Sequence, residues 1–584
     1  MKKLLFSCLL MLGATGLWAQ FNFDLINSIE GGGTITKNVT QSGFGNFAIG
    51  TTETVGPGTN TIMLTQIGLF NLFVLNQLME GDGTNTATNI TQNGILDLIR
   101  LTQTASALTM GDNSVANINQ NGVRNRITIN QDNMAADDLN DNIIAAATII
   151  GAGGTIMQDG FLNKLDMTQT MDASDISDRN FTFISSFNGV ISQEGILNTM
   201  KLSQTMSVSD NGVGNFNYIG SGGTVRQEGG FNRMNMHQNI SSSFSDFNEN
   251  RIGTFNGDVS QGGTFNKISI YQTVDASGNL GANRNFIADL TTMSQDGVLN
   301  NLEISQNITT SNSGGNNNRV GALIQSGNLV SLEINQDNNI EDTNTPSTND
   351  VNGITQSGTW NTLEINQTNT TEVDNGTNDF DGITQMGTFN LATVTQTNND
   401  GGSNFINSAA QSGLSNFLDI SQINNNSGGG NTISDVTQTS TLSFLRINQT
   451  TNSAGGNQIQ NVNQTATLSF LGINQTANTS NNLNGVFDIF QNNTLNFLVA
   501  KQTNSATGGF NTFNLLGDVN QAGTLNFLET TQSNTASGAG NNFNSIINLT
   551  QSGTLNSMVT IQSKTGAGGN NSNNINDVTQ SGTL

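Results

Sequence analysis

Residues 361–367 read Asn-Thr-Leu-Glu-Ile-Asn-Gln, with apolar side chains on alternate positions. A period of two is that of a strand, with Asn361, Leu363, Ile365 and Gln367 on one face and Thr362, Glu364 and Asn366 on the other. The same alternation puts Ile268 and Ile270, Met234 and Met236, and Leu302 and Ile304 inside three further strands, and Lys267, Arg233 and Glu303 outside them. A second apolar stretch precedes the first, as in residues 431–438, Asn-Thr-Ile-Ser-Asp-Val-Thr-Gln. Its alternation is imperfect, which predicts a bulge or a shorter strand. Between the stretches, Ser-Gly-Thr-Trp at 357–360 has turn chemistry, with Gly358 free to take a positive φ. Helical periodicity is missing after the first residues. The two prolines, Pro57 and Pro346, fall between units, where they interrupt no ladder.

The unit is counted from glutamine: Gln, Gly two residues on, Asn five on, and a second Gln eleven on. It is complete at Gln120, Gly122, Asn125, Gln131 and at Gln261, Gly263, Asn266, Gln272. Further complete copies start at Gln66, Gln158, Gln193, Gln227, Gln295, Gln356, Gln385, Gln411, Gln521 and Gln551. Degenerate copies start at Gln41 (Thr52 for the second Gln), Gln92 (Asp97 for Asn), Gln325 (Val330 for Asn) and Gln491 (Asn493 for Gly). Those at Gln438 and Gln464 replace both Gly and Asn, and one at Gln580 breaks off at Leu584. Nineteen starts, 25–38 residues apart, describe near-constant cores joined by unequal loops. Units of this length cannot bury an apolar face alone and must stack. The expected fold is all-β: a β-solenoid of strand-turn-strand coils over residues 33–584, cross-β in the amyloid sense, after an N-terminal segment at 20–32.

Buried amides need partners, because an unsatisfied one costs about 1–3 kcal/mol. In-register stacking supplies them, since the same amide recurs about 4.8 Å away on the next rung. Gln120, Asn125, Gln131, Gln158, Asn163, Gln169, Gln261, Asn266, Gln272, Gln356, Asn361, Gln367, Gln521, Asn526 and Gln532 are therefore expected to form structural ladders. The loop asparagines are expected to be solvated filler.

The first residues predict a secreted chain. Lys2 and Lys3 precede an apolar run, Leu4 to Leu12, that ends at Leu17-Trp18-Ala19, the pattern of a signal peptide over 1–19. Its removal takes away Cys8, the one cysteine, and with it any disulfide or thiol chemistry. No later stretch approaches the ~20 apolar residues of a membrane span. A formal charge of −25 argues against nucleic acid as a partner. Only 10% of residues are charged, however, so this is a sparsely charged polymer.

With these residues in place, the chain resembles the curli amyloid subunits, whose repeats read Ser/Asn-x5/6-Gln-x-Gly-x-x-Asn-x5-Gln. The upstream Asn recurs at Asn349, Asn378, Asn404, Asn431, Asn457, Asn484, Asn514, Asn544 and Asn573. The resemblance runs from about Thr34 to the end. It implies an extracellular, curli-like fibre of the biofilm matrix, on the cell surface, that supports adhesion and cell aggregation. It also implies secretion through an outer-membrane pore and nucleation by a related minor subunit. The chain departs from the family in its many more repeats, its longer linkers, and a 20–32 segment that is not Gly-rich.

No catalytic, metal or cofactor site is read. His237, the one histidine, points outward between Met236 and Gln238. Asp137, Asp138 and Asp141 lack the spacing of a calcium loop. Gly151 to Gly154 lacks the Lys-Ser/Thr of a phosphate loop, so it reads as linker. The competing class is a monomeric β-solenoid adhesin or ligand-binding repeat protein. That class should show a flat repeated array, whereas the outer positions here vary among Thr, Glu, Lys, Asn, Asp and Ser. The final unit also stops without a polar cap, which favours self-association.

Overall fold

A computed structural model describes residues 21–582, except 108–110, 136–139, 145–153, 174–179, 186–187, 210–213, 221, 244–246, 254–256, 278–280, 312–314, 341–345, 372–375, 400–401, 426–428, 453–454, 479–482, 506–511, 536–540 and 566–570. The expected signal segment with Cys8, the pair Asp137 and Asp138, and Gly151 to Gly153 lie outside the described residues. The fold is all-β, and no helix occurs among the described residues.

The segment Asn316–Ile340 shows how one turn is built. Its first arm buries Asn318, Val320, Leu323 and Gln325; its second buries Val330, Leu332, Ile334 and Gln336. The chain reverses between Gln325 and Val330, so the two arms face each other and Val320, Leu323, Leu332 and Ile334 meet inside. Each contributes about 1.5–3 kcal/mol of burial, offset by the entropy of ordering the turn. Along the second arms the expected facing holds: Leu363 and Ile365 are buried, while Thr362 and Glu364 are exposed.

Successive turns stack in parallel, each in register with the next. The first glutamines form one column from Gln41 through Gln66, Gln92, Gln120, Gln158 and onward to Gln551 and Gln580. Residue identity sets this register, since a slip would place charged side chains among the aliphatic ones. The apolar interior is one cluster from Ile26 to Leu549. A satellite cluster of Met171, Met206, Ile240, Val274 and Ile308 widens it two residues past the second glutamine.

The imperfect alternation of the first arm is a bulge three residues before the first glutamine. Asn89, Asn117, Asn461, Asp488, Asp518, Asn548 and Asp577 take positive φ there, between 45° and 54°. Asn and Asp tolerate this region better than other side chains, which explains their recurrence.

Three expectations are corrected. Gly358 does not take a positive φ; a Cβ there would lie 2.1 Å from the Gly327 carbonyl oxygen and 2.9 Å from Asn361 Oδ1. At Gly358 glycine is needed for close approach of stacked backbones, whereas Gly160, Gly195, Gly229 and Gly263 in the same column do take a positive φ. Residues 21–30 are no separate segment: they form a strand in register with 45–54, so the sheet starts before Gly33. Charge is also not always outside. Asp24 and Lys37 occupy columns that hold Ala48 and Ile62 one turn on, and Asp97, Glu249 and Arg251 are buried.

Candidate functional site: amide ladders and outer faces

The recurrent amides are satisfied by one another. Gln120 Nε2 donates to Gln92 Oε1 at 2.8 Å, and Gln158 to Gln120 at 2.9 Å. Gln261, Gln356 and Gln521 likewise donate to Gln227, Gln325 and Gln491. In the second column Gln131, Gln169, Gln272, Gln367 and Gln532 donate to Gln103, Gln131, Gln238, Gln336 and Gln502 at 2.8–2.9 Å. Each amide also ties the arms together: Gln367 Nε2 donates to the carbonyls of Asn349 and Asp379, and Gln261 Nε2 to that of Lys267.

The asparagine ladders run the other way. Asn125, Asn163, Asn266, Asn361 and Asn526 donate Nδ2 to the next turn's Asn163, Asn198, Asn300, Asn390 and Asn556, at 2.7–3.1 Å. The upstream column behaves alike, with Asn349 donating to Asn378 and Asn378 to Asn404. Gly122 makes room for this stack, since a Cβ there would meet the Gly94 carbonyl oxygen at 2.1 Å.

The degenerate turns have a steric logic. A side chain at the Gly position would collide with the Asn three residues on. Where Ser440 and Ala466 replace Gly, that Asn is shortened to Ser443 and Ser469; Ser440 and Ser443 then hydrogen-bond at 2.7 Å. Asn493 keeps Asn496 beside it by reaching to the previous turn, where it accepts from the Ala466 amide and donates to Ser469 Oγ. Two replacements leave defects: Thr52 Oγ1 is buried without a partner, and Asp97 breaks the asparagine chain. Asp97 Oδ1 accepts from Asn71 at 2.7 Å. Desolvation pushes its pKa up to about 6, against the lowering effect of the Asn71 and Gly94 hydrogen bonds.

Not all loop asparagines are filler. Asn425, Asn452 and Asn478 donate in turn to Asn399, Asn425 and Asn452, which makes an exposed ladder with no apolar periodicity to mark it. A charged cluster on the first arms follows no repeat position, so no periodicity in the sequence marks it. Glu249 accepts from Arg251 and, at 3.0 Å, from Tyr218 Oη; Arg284 lies 3.8 Å away. The Arg251 guanidinium sits 5.1 Å from the Phe286 ring, and Arg284 4.7 Å from that of Phe247.

Outside, the second arms carry a shallow apolar groove of about 570 Å³. Its floor includes Phe231 stacked on Phe265 with centroids 4.6 Å apart, and its far end Trp360 stacked on Phe389 at 4.2 Å. His237 points outward, and desolvation together with nearby Lys201 lowers its pKa. Asp141 stands in a strand in register with Phe181. Among the described residues no three His, Cys, Asp or Glu side chains gather as a metal site, and no helix is long and apolar enough to cross a membrane. Comparison of the chain with family models, with curated proteins and with solved structures returned no match.

Proposed function

We propose that the chain is a structural subunit that polymerises into an extracellular amyloid-type fibre, with the matrix, adhesion and aggregation roles that the resemblance to curli subunits implies. The observation that carries this reading is the continuity of the glutamine and asparagine columns from turn to turn. Each turn is held by bonds that the next repeats, so a second chain with the same columns is bound as a further turn would be. The polar interior supports a structural role over a catalytic one, since its amides bond to each other and to backbone. Export through an outer-membrane pore and nucleation by a related subunit complete the proposal.

The test is to dilute the purified chain from denaturant and follow dye binding, electron micrographs and fibre diffraction. Unbranched filaments with a meridional reflection at about 4.7–4.8 Å are expected. Monomers that persist for days, with no such reflection, would transfer the proposal to the adhesin class.

A further inference from the structure

We propose that the outer face of the second arms is an interface between two copies of this chain, packed side by side with their long axes antiparallel. Two observations carry it: the order of charges along this face, and the apolar row beside them.

Cations come first on the outward positions. Arg126 and Lys164 are in register on adjacent turns, Lys201 follows on the next turn, and Arg233 and Lys267 are in register after it. The sign then changes: Glu303, Glu333 and Glu364 stand in register on the three following turns. Asp419 comes two turns later. Beside these cations one carboxylate, Asp166, interrupts the basic half, in register with Lys201, while Asp132, Asp172 and Asp275 stand further along the same arms, beyond the second glutamine. The reversal lies between the turns of Lys267 and Glu303, where the two side chains already meet at 3.5 Å within one chain.

A two-fold axis between those turns, parallel to the strands, superposes the halves with opposite sign. Lys201 falls over the other copy's Glu364, while Lys267, Arg233 and Arg126 lie two residues along the strand from its Glu303, Glu333 and Asp419, an offset that Lys267 already spans to its own Glu303. Asp166 then faces the turn of Thr393, which has no charge on this face. Copies packed parallel and in register would set cation on cation throughout, which costs affinity rather than adding to it. One turn further out, Arg100 would face Arg446, and this marks the limit of the complementary strip.

The same axis superposes the apolar row. Phe265 meets Leu299, Phe231 meets Leu329, and Leu197 meets Trp360, all of them in the groove wall. Phe231, Leu329 and Trp360 are 46–50% exposed, far more than the row needs for its own stacking. From Arg126 to Asp419 the strip covers ten turns, nine spacings or roughly 43 Å, by about 13 Å across the strands. That flat footprint of roughly 560 Å², before side-chain relief, approaches the ~800 Å² per partner of a standard interface. The pairing is isologous and closes on itself, so it is independent of axial growth.

Sedimentation velocity of the full chain tests it. A dimer is expected in 0.1 M salt and monomer in 1 M salt, where the screening length falls from about 10 to about 3 Å. K201E/R233E/K267E and E303K/E333K/E364K should each lose the dimer alone. An equimolar mixture should regain it, as should a single chain that carries all six changes. If the chain polymerises axially, the same comparisons are read as mass per length of the filaments, doubled by pairing. Filament formation without doubling would overturn the pairing and leave the fibre reading intact. A wild-type monomer in 0.1 M salt, triple variants that dimerise like wild type, or a six-fold variant that keeps its β-sheet circular dichroism but stays monomeric would each overturn it too.

Discussion

Asp97 and Asn125 are consecutive rungs of one asparagine ladder, and between them the chain of donors stops: Asp97 Oδ2 and Asn125 Oδ1 are both buried without a partner. Where asparagine meets asparagine on the next rung it passes on a proton donor, and a carboxylate has none to pass. A neutral carboxyl does, through Oδ2–H. The folded state therefore favours the protonated acid, in keeping with a pKa raised from 3.8 to about 6. A raised folded pKa means that the folded chain holds a proton the unfolded chain releases, so stability is highest below about pH 4 and falls as pH rises to 6. Arg100, Arg124 and Arg126 on the neighbouring strands have their positions outside the core, so no interior charge offsets this. Asp97→Asn restores the donor and should flatten the dependence between pH 4 and 6, with a gain on the order of 1 kcal/mol at pH 7. Hydrogen exchange of residues 96–131 at several pH values reads the effect locally.

The facing of the second arm predicts a sharp contrast between neighbours. Leu363→Asp with Ile365→Asp puts two unpaired carboxylates in the core and should cost more than about 4 kcal/mol, enough to unravel local turns. Thr362→Ala with Glu364→Ala should stay within about 1 kcal/mol. Limited proteolysis around residue 363 separates the two; equal susceptibility would reverse the facing.

The paired losses of Gly and Asn in the Gln438 and Gln464 turns predict a coupling that can be measured elsewhere. Gly358→Ser should cost about 1–3 kcal/mol by crowding Asn361 and the Gly327 carbonyl. Asn361→Ser should cost about 1–2 kcal/mol by breaking a ladder bond. Together they should cost less than their sum by at least about 0.5 kcal/mol, since the serine vacates the space the new side chain needs. A double-mutant cycle in denaturant gives the figure directly.

Assembly should be faster for residues 301–584 than for 20–300. Phe417, Phe444, Phe470 and Phe497 form an exposed, uncharged row on successive C-terminal turns. The same outward column carries Arg126, Lys164, Arg233 and Lys267 earlier, and Asp24 and Lys37 set charge into the core columns of the first turns, a device that discourages edge pairing. Dye-binding lag times of the two fragments at equal concentration decide it; a shorter lag for 20–300 would refute the charge argument.

The solenoid was legible in the sequence because its rules are local and repeated: a period of two fixes the facing, and a glutamine every turn marks the register. Even the bulge showed as imperfect alternation over residues 431–438. What stayed hidden depended on neighbours one turn away. Nothing in Asp97 itself tells that it stands between two asparagines on neighbouring turns, nor in Ser443 that it makes room for Ser440. The ladder of Asn399, Asn425 and Asn452 escaped because asparagine suits a solvated loop equally well. Glu249 and Arg251 sit off the repeat, so only the packing of adjacent first arms brings them to Tyr218 and Phe286.

The opposed directions of the ladders bear on how long such a column can be. An α-helix aligns all its dipoles and ends in partial charges. Here each turn's glutamine amides point one way along the axis and its asparagine amides the other. Their moments oppose within every rung, so a column of any height builds up no matching macrodipole from its side chains. Length is then neither rewarded nor penalised by a growing axial field, and the bond that seats the last turn differs little from the one that seats the second.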